Sequence, residues 1–278
     1  MTEYLKIEDK QIAYDVTGEG PLVVLSHGMG DTRNSYRFLA PLLVEAGYRV
    51  AKVDLRGSGE SSAVWDSYTR TDTAGDLLAV VRHLGGPAVL IGQSFSGGAV
   101  AIAAAQAPEL VSGIVQIDAF SRAQKVSVSG LITNGHHRKG MMLLMAAAMF
   151  KSAGMWKRYL NHAFPKVKPA DFAGALAAIE ANLAEPGRMA AFSKMGTGAP
   201  TDAGAQLPNV KSPSLVINGT LDPDWADPRA EAEGIVSELP AGLGTVVMIE
   251  GAGHYPHTQF PAEVAAAVLP FLKANARG

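Results

Sequence analysis

In the stretch Ala88-Val89-Leu90-Ile91-Gly92-Gln93-Ser94-Phe95-Ser96-Gly97-Gly98, four apolar residues run directly into a cluster of small ones. An apolar run of this kind, with no polar alternation, marks a strand buried on both faces of a parallel sheet. The residues from Gly97 to Ala107 read as a small-residue helix closed by Pro108. Strand and helix nearly touch at such a joint, which is why the neighbours of Ser94 must be small. A serine at this sharp turn sits on strained backbone that pushes its Oγ above the sheet. The helix start behind it offers free N–H groups and a partial positive charge, suited to a developing oxyanion. The pentapeptide alone matches ordinary Gly/Ser turns; the strand before it and the helix after it make it informative.

Outward from this turn the chain alternates strand and helix. Leu5–Glu8 and Ile12–Val16 flank Asp9-Lys10 as an N-terminal hairpin, and Leu22–Leu25 is a second wholly apolar strand. A helix over Ser35–Ala46 ends at Gly47, a strand covers Arg49–Val53, and a helix covers Thr71–Leu84 before Gly85-Gly86-Pro87. After the strand Gly113–Ile117 the rhythm stops, and residues 121–208 are Ala-, Met- and Lys-rich and strand-free. It resumes with the strand Ser214–Asn218, a helix near Pro228–Leu239, the strand Thr245–Glu250 and a helix over Pro261–Ala274. Repeated βα units imply an α/β class: a mostly parallel central sheet with helices on both faces. The expected division is a core of residues 1–120 and 209–278, interrupted by an all-helical cap over 121–208.

A serine hydroxyl is a poor nucleophile until a positioned base takes its proton, and the base needs a carboxylate to fix its tautomer. His254, in Gly251-Ala252-Gly253-His254-Tyr255-Pro256, follows the strand Thr245–Glu250. Asp222, in Gly219-Thr220-Leu221-Asp222-Pro223, follows the strand Ser214–Asn218. All three groups fall at the C-terminal ends of parallel strands, where open α/β sheets place their ligands. Their chain order, Ser94, Asp222, His254, is that of a nucleophile, acid and base on such a sheet.

Other residues compete for these roles. Asp118, at the end of the strand Gly113–Ile117, is the alternative acid. Asp224 and Asp227 follow closely on Asp222 but read as lying at or inside the next helix. His257 reads as a packing residue of its loop, and His83 as a surface or satisfied histidine. His136, His137 and His162 fall in the insertion, and no pair has a metal-ligand spacing with a third ligand.

Composition narrows the remaining classes. With 47% hydrophobic residues and a net charge of −2, the chain is not intrinsically disordered. The absence of cysteine removes disulfides, thiolate metal sites and a cysteine nucleophile. The near-neutral total argues against nucleic-acid binding. The longest apolar run, Met141–Phe150, is half the length of a membrane span of about 20 residues. The polar start, Met1-Thr2-Glu3-Tyr4-Leu5-Lys6, is unlike a secretory signal. The expectation is a cytoplasmic protein, monomeric or homodimeric, acting on a small molecule without cofactor or metal. The −2 is itself a near-cancellation: residues 121–208 hold 11 Lys+Arg against 4 Asp+Glu, +7, and the rest 13 against 22, −9. A solvated basic cap is the plain reading; a basic rim that draws in anionic substrates is the sharper one.

Over essentially its whole length the chain resembles the α/β-hydrolase superfamily. Ser26-His27-Gly28-Met29-Gly30-Asp31 looks like the family's His-Gly oxyanion loop after its third strand. Asp54-Leu55-Arg56-Gly57-Ser58-Gly59-Glu60-Ser61 is similar to its D-x-R-G-x-G-x-S turn after the fourth. The resemblance implies that the backbone N–H groups of Met29 and Phe95 form the oxyanion hole and that His27 orients its loop. Ser96 departs from the glycine most often found there, and its hydroxyl is free to hydrogen-bond locally. Relatives that open epoxides or release halide use an aspartate nucleophile where this chain has Ser94.

The reading is therefore a serine hydrolase of carboxylic esters or lactones, a carboxylesterase- or lactonase-like enzyme with an acyl-enzyme intermediate. Activity would fall below about pH 6.5 as His254 takes a proton. The same triad also serves carbon–carbon bond hydrolysis, perhydrolysis and cyanohydrin cleavage, and a non-turnover receptor on this scaffold is the alternative from another class. Dinucleotide binding at Gly28-Met29-Gly30 fails because Arg33 stands at the third glycine position. Within the insertion, Met141, Met145 and Met149 recur near helical spacing, as packed core or as the lining of an adaptable apolar pocket.

Overall fold

The computed structural model describes residues 1–123 and 128–277, with residues 128 and 129 described by backbone alone. The strands are β1 (Glu3–Ile7), β2 (Lys10–Thr17), β3 (Leu22–Ser26), β4 (Arg49–Val53), β5 (Ala88–Gln93), β6 (Val111–Ile117), β7 (Ser214–Gly219) and β8 (Gly244–Ile249). They form one sheet in the order β1-β2-β4-β3-β5-β6-β7-β8. Only the β1–β2 and β2–β4 pairings are antiparallel; every pairing from β4 to β8 is parallel.

The helices of the core are α1 (Leu39–Glu45), α2 (Arg70–His83) and α3 (Phe95–Gln106). Between β6 and β7 come α4 (Val128–Thr133), α5 (Gly135–Met149), α6 (Ala153–Ala163), α7 (Phe172–Ala184), α8 (Arg188–Thr197) and α9 (Thr201–Gly204). The chain closes with α10 (Pro228–Glu238), α11 (Pro256–Gln259) and α12 (Pro261–Asn275). Among the described residues no strand lies between β6 and β7. No described helix is long and apolar enough to cross a membrane.

The strands need apolar residues on both faces because two cores flank the sheet. Leu22, Val24, Ala88 and Leu90 point to one side, against Leu77, Val81, Ala99 and Ile235 of α2, α3 and α10. The alternating residues Val23, Leu25, Val89 and Ile91 point to the other, against Leu39 and Leu43 of α1 and Val264, Val268 and Leu272 of α12. Each buried side chain of this size contributes about 1.5–3 kcal/mol, so the two layers together hold the sheet rigid beneath its loops.

Local signals account for most element ends. Thr69 and Asp72 form a reciprocal capping box at the start of α2. Asp227 caps α10, accepting from Ala230 N at 3.0 Å, with Pro228 at the first helical position. The expected helix over Ser35–Ala46 is two pieces: a 3-10 turn at Arg33–Tyr36 capped by Thr32, then α1. The helix expected from Gly97 begins at Phe95, so Ser94 is its N-cap.

Candidate active site

Ser94 follows β5 with a positive φ, at φ 54 and ψ −117. Neighbouring strands hold it there: Ser94 N donates to Ile117 O at 2.9 Å, and Ser94 O accepts from Phe120 N at 3.0 Å. The glycines are required by space. A Cβ at Gly92 would stand 2.3 Å from Ser96 O, and one at Gly97 would stand 2.3 Å from the Ala119 Cβ. Ser96, the departure from glycine, is fully buried; its Oγ accepts from Gln93 N and lies 2.6 Å from Ser26 O, to which it donates. The hydroxyl thus ties the turn to β3.

His254 reaches the same cavity from the loop after β8, and its Nδ1 lies 2.9 Å from Asp222 Oδ2. Asp222 Oδ1 accepts from Asp224 N at 2.9 Å, so both carboxylate oxygens are engaged. With Nδ1–H given to Asp222, Nε2 of the imidazole is the free base. The loop bearing His254 is clamped: His254 N donates to Ala163 O at 3.1 Å, and Gln93 Nε2 donates to His254 O at 2.9 Å. A Cβ at Gly253 would stand 2.1 Å from Ala163 O, so the insertion sits directly against this loop.

Two further carboxyl groups surround the imidazole. Asp224, placed in the loop before α10 and not in the helix, has Oδ2 3.4 Å from His254 Nδ1 and accepts from Tyr159 OH at 2.7 Å. Asp118, fully buried at φ 44, accepts from Gly219 N at 2.9 Å, and its ligand atom lies within 4.8 Å of those of Asp222 and His254. Burial, reinforced by the charge of Asp222, drives Asp118 well above the usual carboxylate range. Burial alone would raise Asp222 too, but the charge and hydrogen bond of His254 hold it below its ordinary value. Burial raises Asp224 to about 7 against the pull of His254. Burial opposes the charged imidazole, yet Asp222 and Asp224 together push His254 up to about 9.

Asp118, Asp222 and His254 are close enough to suggest a cation site. Three of their oxygens are already engaged, Asp118 Oδ1 by Gly219 N, Asp222 Oδ1 by Asp224 N and Asp222 Oδ2 by His254 Nδ1, so the set fits a hydrogen-bonded cluster rather than a metal.

On the opposite side of Ser94 lies the loop after β3. A Cβ at Gly28 would meet Gln93 Oε1 at 2.2 Å and the Ser94 Cβ at 2.8 Å, which brings this loop against Ser94. His27 Nε2 accepts from Leu55 N at 3.1 Å, so its proton is on Nδ1, which donates to Gly28 O at 2.7 Å. Met29 and Phe95 both line the cavity, and among the described residues neither backbone N–H donates to a loop, cap or side-chain acceptor. Asp227, the cap of α10, is remote in role from the imidazole. His257 is buried on Tyr36, with its Nε2 2.8 Å from Ser35 Oγ, and His83 is exposed. His136 and His137 meet Leu221 O and Pro223 O at 3.0 and 2.9 Å, and His162 meets His136 O at 2.8 Å; these histidines dock α5 and α6 on the loop carrying Asp222.

The cavity has a volume of about 360 Å³ and is roofed by the helices between β6 and β7. Met141, Leu144 and Met145 of α5 line it, with Trp156 and Tyr159 of α6 and Met195 of α8. Met149 does not: it is 62% exposed at the end of α5. Eight residues advance a helix by about 80° beyond two full turns, which carries Met149 off the face that Met141 presents. Sequence reasoning also passed over Arg70 and Tyr159, both lining residues. The capping box at Thr69 announced a helix start at Arg70 but nothing about which way its side chain turns.

The Alpha/beta hydrolase family profile matches residues 23–267. The chain belongs to this family. Its sequence is 27% identical over 266 residues to the 2-(acetamidomethylene)succinate hydrolase of Mesorhizobium japonicum, covering 92% of this chain and 90% of that one. It is 36% identical over 104 residues to the bifunctional epoxide hydrolase 2 of Sus scrofa, a match spanning 36% of this alpha/beta hydrolase and 19% of the relative. A thermophilic esterase from Thermogutta terrifontis superposes with a TM-score of 0.75 at 24% identity, covering 99% and 98% of the two chains, a likeness of fold.

Proposed function

We propose that this alpha/beta hydrolase is a serine hydrolase cleaving carboxylic esters or lactones, with residues 121–208 as its cap. The observation that carries the reading is Ser94 at its strained turn in the cavity that also receives His254, itself bonded to Asp222. Ser94 Oγ attacks the carbonyl carbon while His254 Nε2 removes its proton. The tetrahedral oxyanion is received by the N–H groups of Met29 and Phe95, the latter at the N-terminus of α3. His254 then protonates the departing alkoxide, and a water activated by the same imidazole hydrolyses the acyl-enzyme. Asp222 fixes the tautomer and, with Asp224, stabilises the imidazolium that forms.

The relative named for 2-(acetamidomethylene)succinate supports hydrolysis over non-covalent binding. Similarity to epoxide hydrolases does not extend to their chemistry, because opening an epoxide through an enzyme ester takes an aspartate where this chain has Ser94. Steady release of p-nitrophenol from p-nitrophenyl esters, lost in Ser94→Ala, is the expected result. A single burst followed by a stable adduct would instead mark a receptor.

A further inference from the structure

Three arginines are nearly inaccessible among the described residues: Arg56, Arg70 and Arg188. Arg56 grips Asp76 with both fork atoms, at 2.7 and 2.8 Å. Arg188 meets Glu185 at 3.2 Å. Arg70, at 5% exposure the most buried of the three, has no carboxylate within ion-pair distance among the described residues. The stretch Gln124-Lys125-Val126-Ser127-Val128-Ser129, whose side chains are outside the described set, contains no acid to supply one. Asp202 attracts Arg70 only at a distance. One Nη1–H donates to Gly198 O at 3.2 Å, and Nε is buried without a partner among the described residues. Burial brings its pKa down to about 10, so the group is still a cation at neutral pH.

A buried, charged fork without a counter-ion is costly to the fold, and a ligand anion bound beside it would relieve that cost. The position of Arg70 says which ligand. Its guanidinium lines the cavity of Ser94 and His254 and lies 4.5 Å from the centroid of the Phe95 ring, the residue directly after the nucleophile. The cavity lining is mainly apolar, with Met141, Met145 and Met195 among it, so an anion entering there meets Arg70 as the one cation, among the described residues of the lining, that is not already paired, since His254 faces Asp222 and Asp224. A planar fork pairs with a carboxylate through two parallel hydrogen bonds.

We propose that Arg70 is the anion-recognition residue of this pocket and that the preferred substrate is an ester or lactone bearing a carboxylate. The proposal rests on Ser94 being the nucleophile but assigns selectivity to a single buried group instead of the basic surface of the cap. The two sources differ in salt response, since buried pairs are screened much less than exposed ones.

The test compares kcat/KM for p-nitrophenyl hemiadipate with that for p-nitrophenyl hexanoate, its uncharged counterpart of similar length. Wild type should favour the anion. In R70M the anion-to-neutral ratio should fall at least about 30-fold, equivalent to about 2 kcal/mol at 1.4 kcal/mol per decade. R70K, which keeps the charge but not the fork, should fall in between and also serves if R70M does not fold. A parallel arm measures adipate binding to Ser94→Ala by calorimetry, where adding R70M or R70K should weaken Kd in the same order. Loss of binding without turnover of either ester by the wild type would sink the serine-hydrolase reading and leave Arg70 standing. Turnover of both esters with ratio and Kd unmoved by the Arg70 variants would overturn the proposal alone. A ratio that collapses between about 0.05 and 0.5 M salt, yet is indifferent to Arg70, would overturn it in favour of the cap surface.

Discussion

Replacing Asp224 by asparagine should make the enzyme more active at neutral pH, because Asp224 overstabilises the protonated form of its own base. Its Oδ2 lies 3.4 Å from His254 Nδ1, and with Asp222 it pushes the imidazole up to about 9. At that value only about 1% of His254 is neutral at pH 7, since each pH unit is a factor of ten. A full unit charge at this distance is worth at most about 5 kcal/mol at an effective dielectric constant near 20. An opposite charge this close moves a pKa by about 1–3 in practice. The hydroxyl of Tyr159, donating to the same carboxylate at 2.7 Å, spreads part of the charge, which favours the lower part of that range.

Removing a negative neighbour disfavours the imidazolium, so the pKa must fall. The acid limb of kcat/KM, which reports the free enzyme, should lie well above 6.5 in wild type and move down by about 1–2 pH units in Asp224→Asn. At pH 7 the variant should be about tenfold faster for each pH unit by which the limb moves. Tyr159, Tyr255 and His257 are held neutral by burial across this window, whereas Asp224, raised to about 7, ionises within it, so the wild-type limb should be broadened and that of Asp224→Asn simple. Asparagine is close in shape, and its amide oxygen can still accept from Tyr159. The assay is initial rates on a neutral p-nitrophenyl ester from about pH 5.5 to 9, a window that spans the ordinary and the raised histidine values, with Asp222→Asn as the contrasting variant. A wild-type limb at or below 6.5, or one that Asp224→Asn leaves in place, would refute the electrostatic reasoning.

Stability should respond to pH through a different histidine. Burial holds His257 down to about 3, whereas in the unfolded chain it titrates near 6.5. Between those values the unfolded state binds a proton that the native state does not, so stability is lost as pH falls, by about 1.4 kcal/mol per pH unit. Urea midpoints from about pH 7 to 4.5 should show a slope shallower by that amount in His257→Gln, and equal slopes would contradict the assignment. The Arg56–Asp76 pair, buried and bidentate, makes a simpler case. Asp76→Asn should cost about 1.5–3 kcal/mol, because the charge-assisted pair is lost while Asp72, 3.5 Å away, and two backbone carbonyls still hold the guanidinium, read as a drop in unfolding midpoint; a loss under about 1 kcal/mol would show the pair to be dispensable.

Much of the fold was legible because burial on both sheet faces leaves a plain mark. Val23 and Val24 must both be apolar when one faces α1 and α12 and the other faces α2 and α3. Ser94, Asp222 and His254 stood out because each follows such a strand. The turn from Asp54 to Ser61 was recognisable, but its work is structural. Asp54 holds Arg33 N and Glu60 N, while Arg56 reaches across to α2.

What the sequence hid depends on side-chain direction across the fold. Asp224 is two residues from Asp222, yet only the bend of the loop returns it to the same imidazole. Met149 repeats the four-residue step from Met141 to Met145, but the drift of that step off one helix face has turned it into solvent at the end of α5. Arg70 has Asp72 as its nearest acid in sequence, which suggests a partner. That carboxylate instead caps α2 through Thr69 and accepts from Ser67 Oγ at 2.6 Å, leaving the arginine to the cavity.

The proposed chemistry is covalent: the acyl group passes through Ser94. Acid-quenching the enzyme during turnover of a slowly deacylating ester, followed by peptide mass mapping, traps that intermediate. One acyl adduct is expected, confined to the peptide containing Ser94 and absent from Ser94→Ala, formed at the rate of the p-nitrophenol burst. An adduct on Asp118, Asp222 or Asp224, or undiminished turnover by Ser94→Ala, would contradict it.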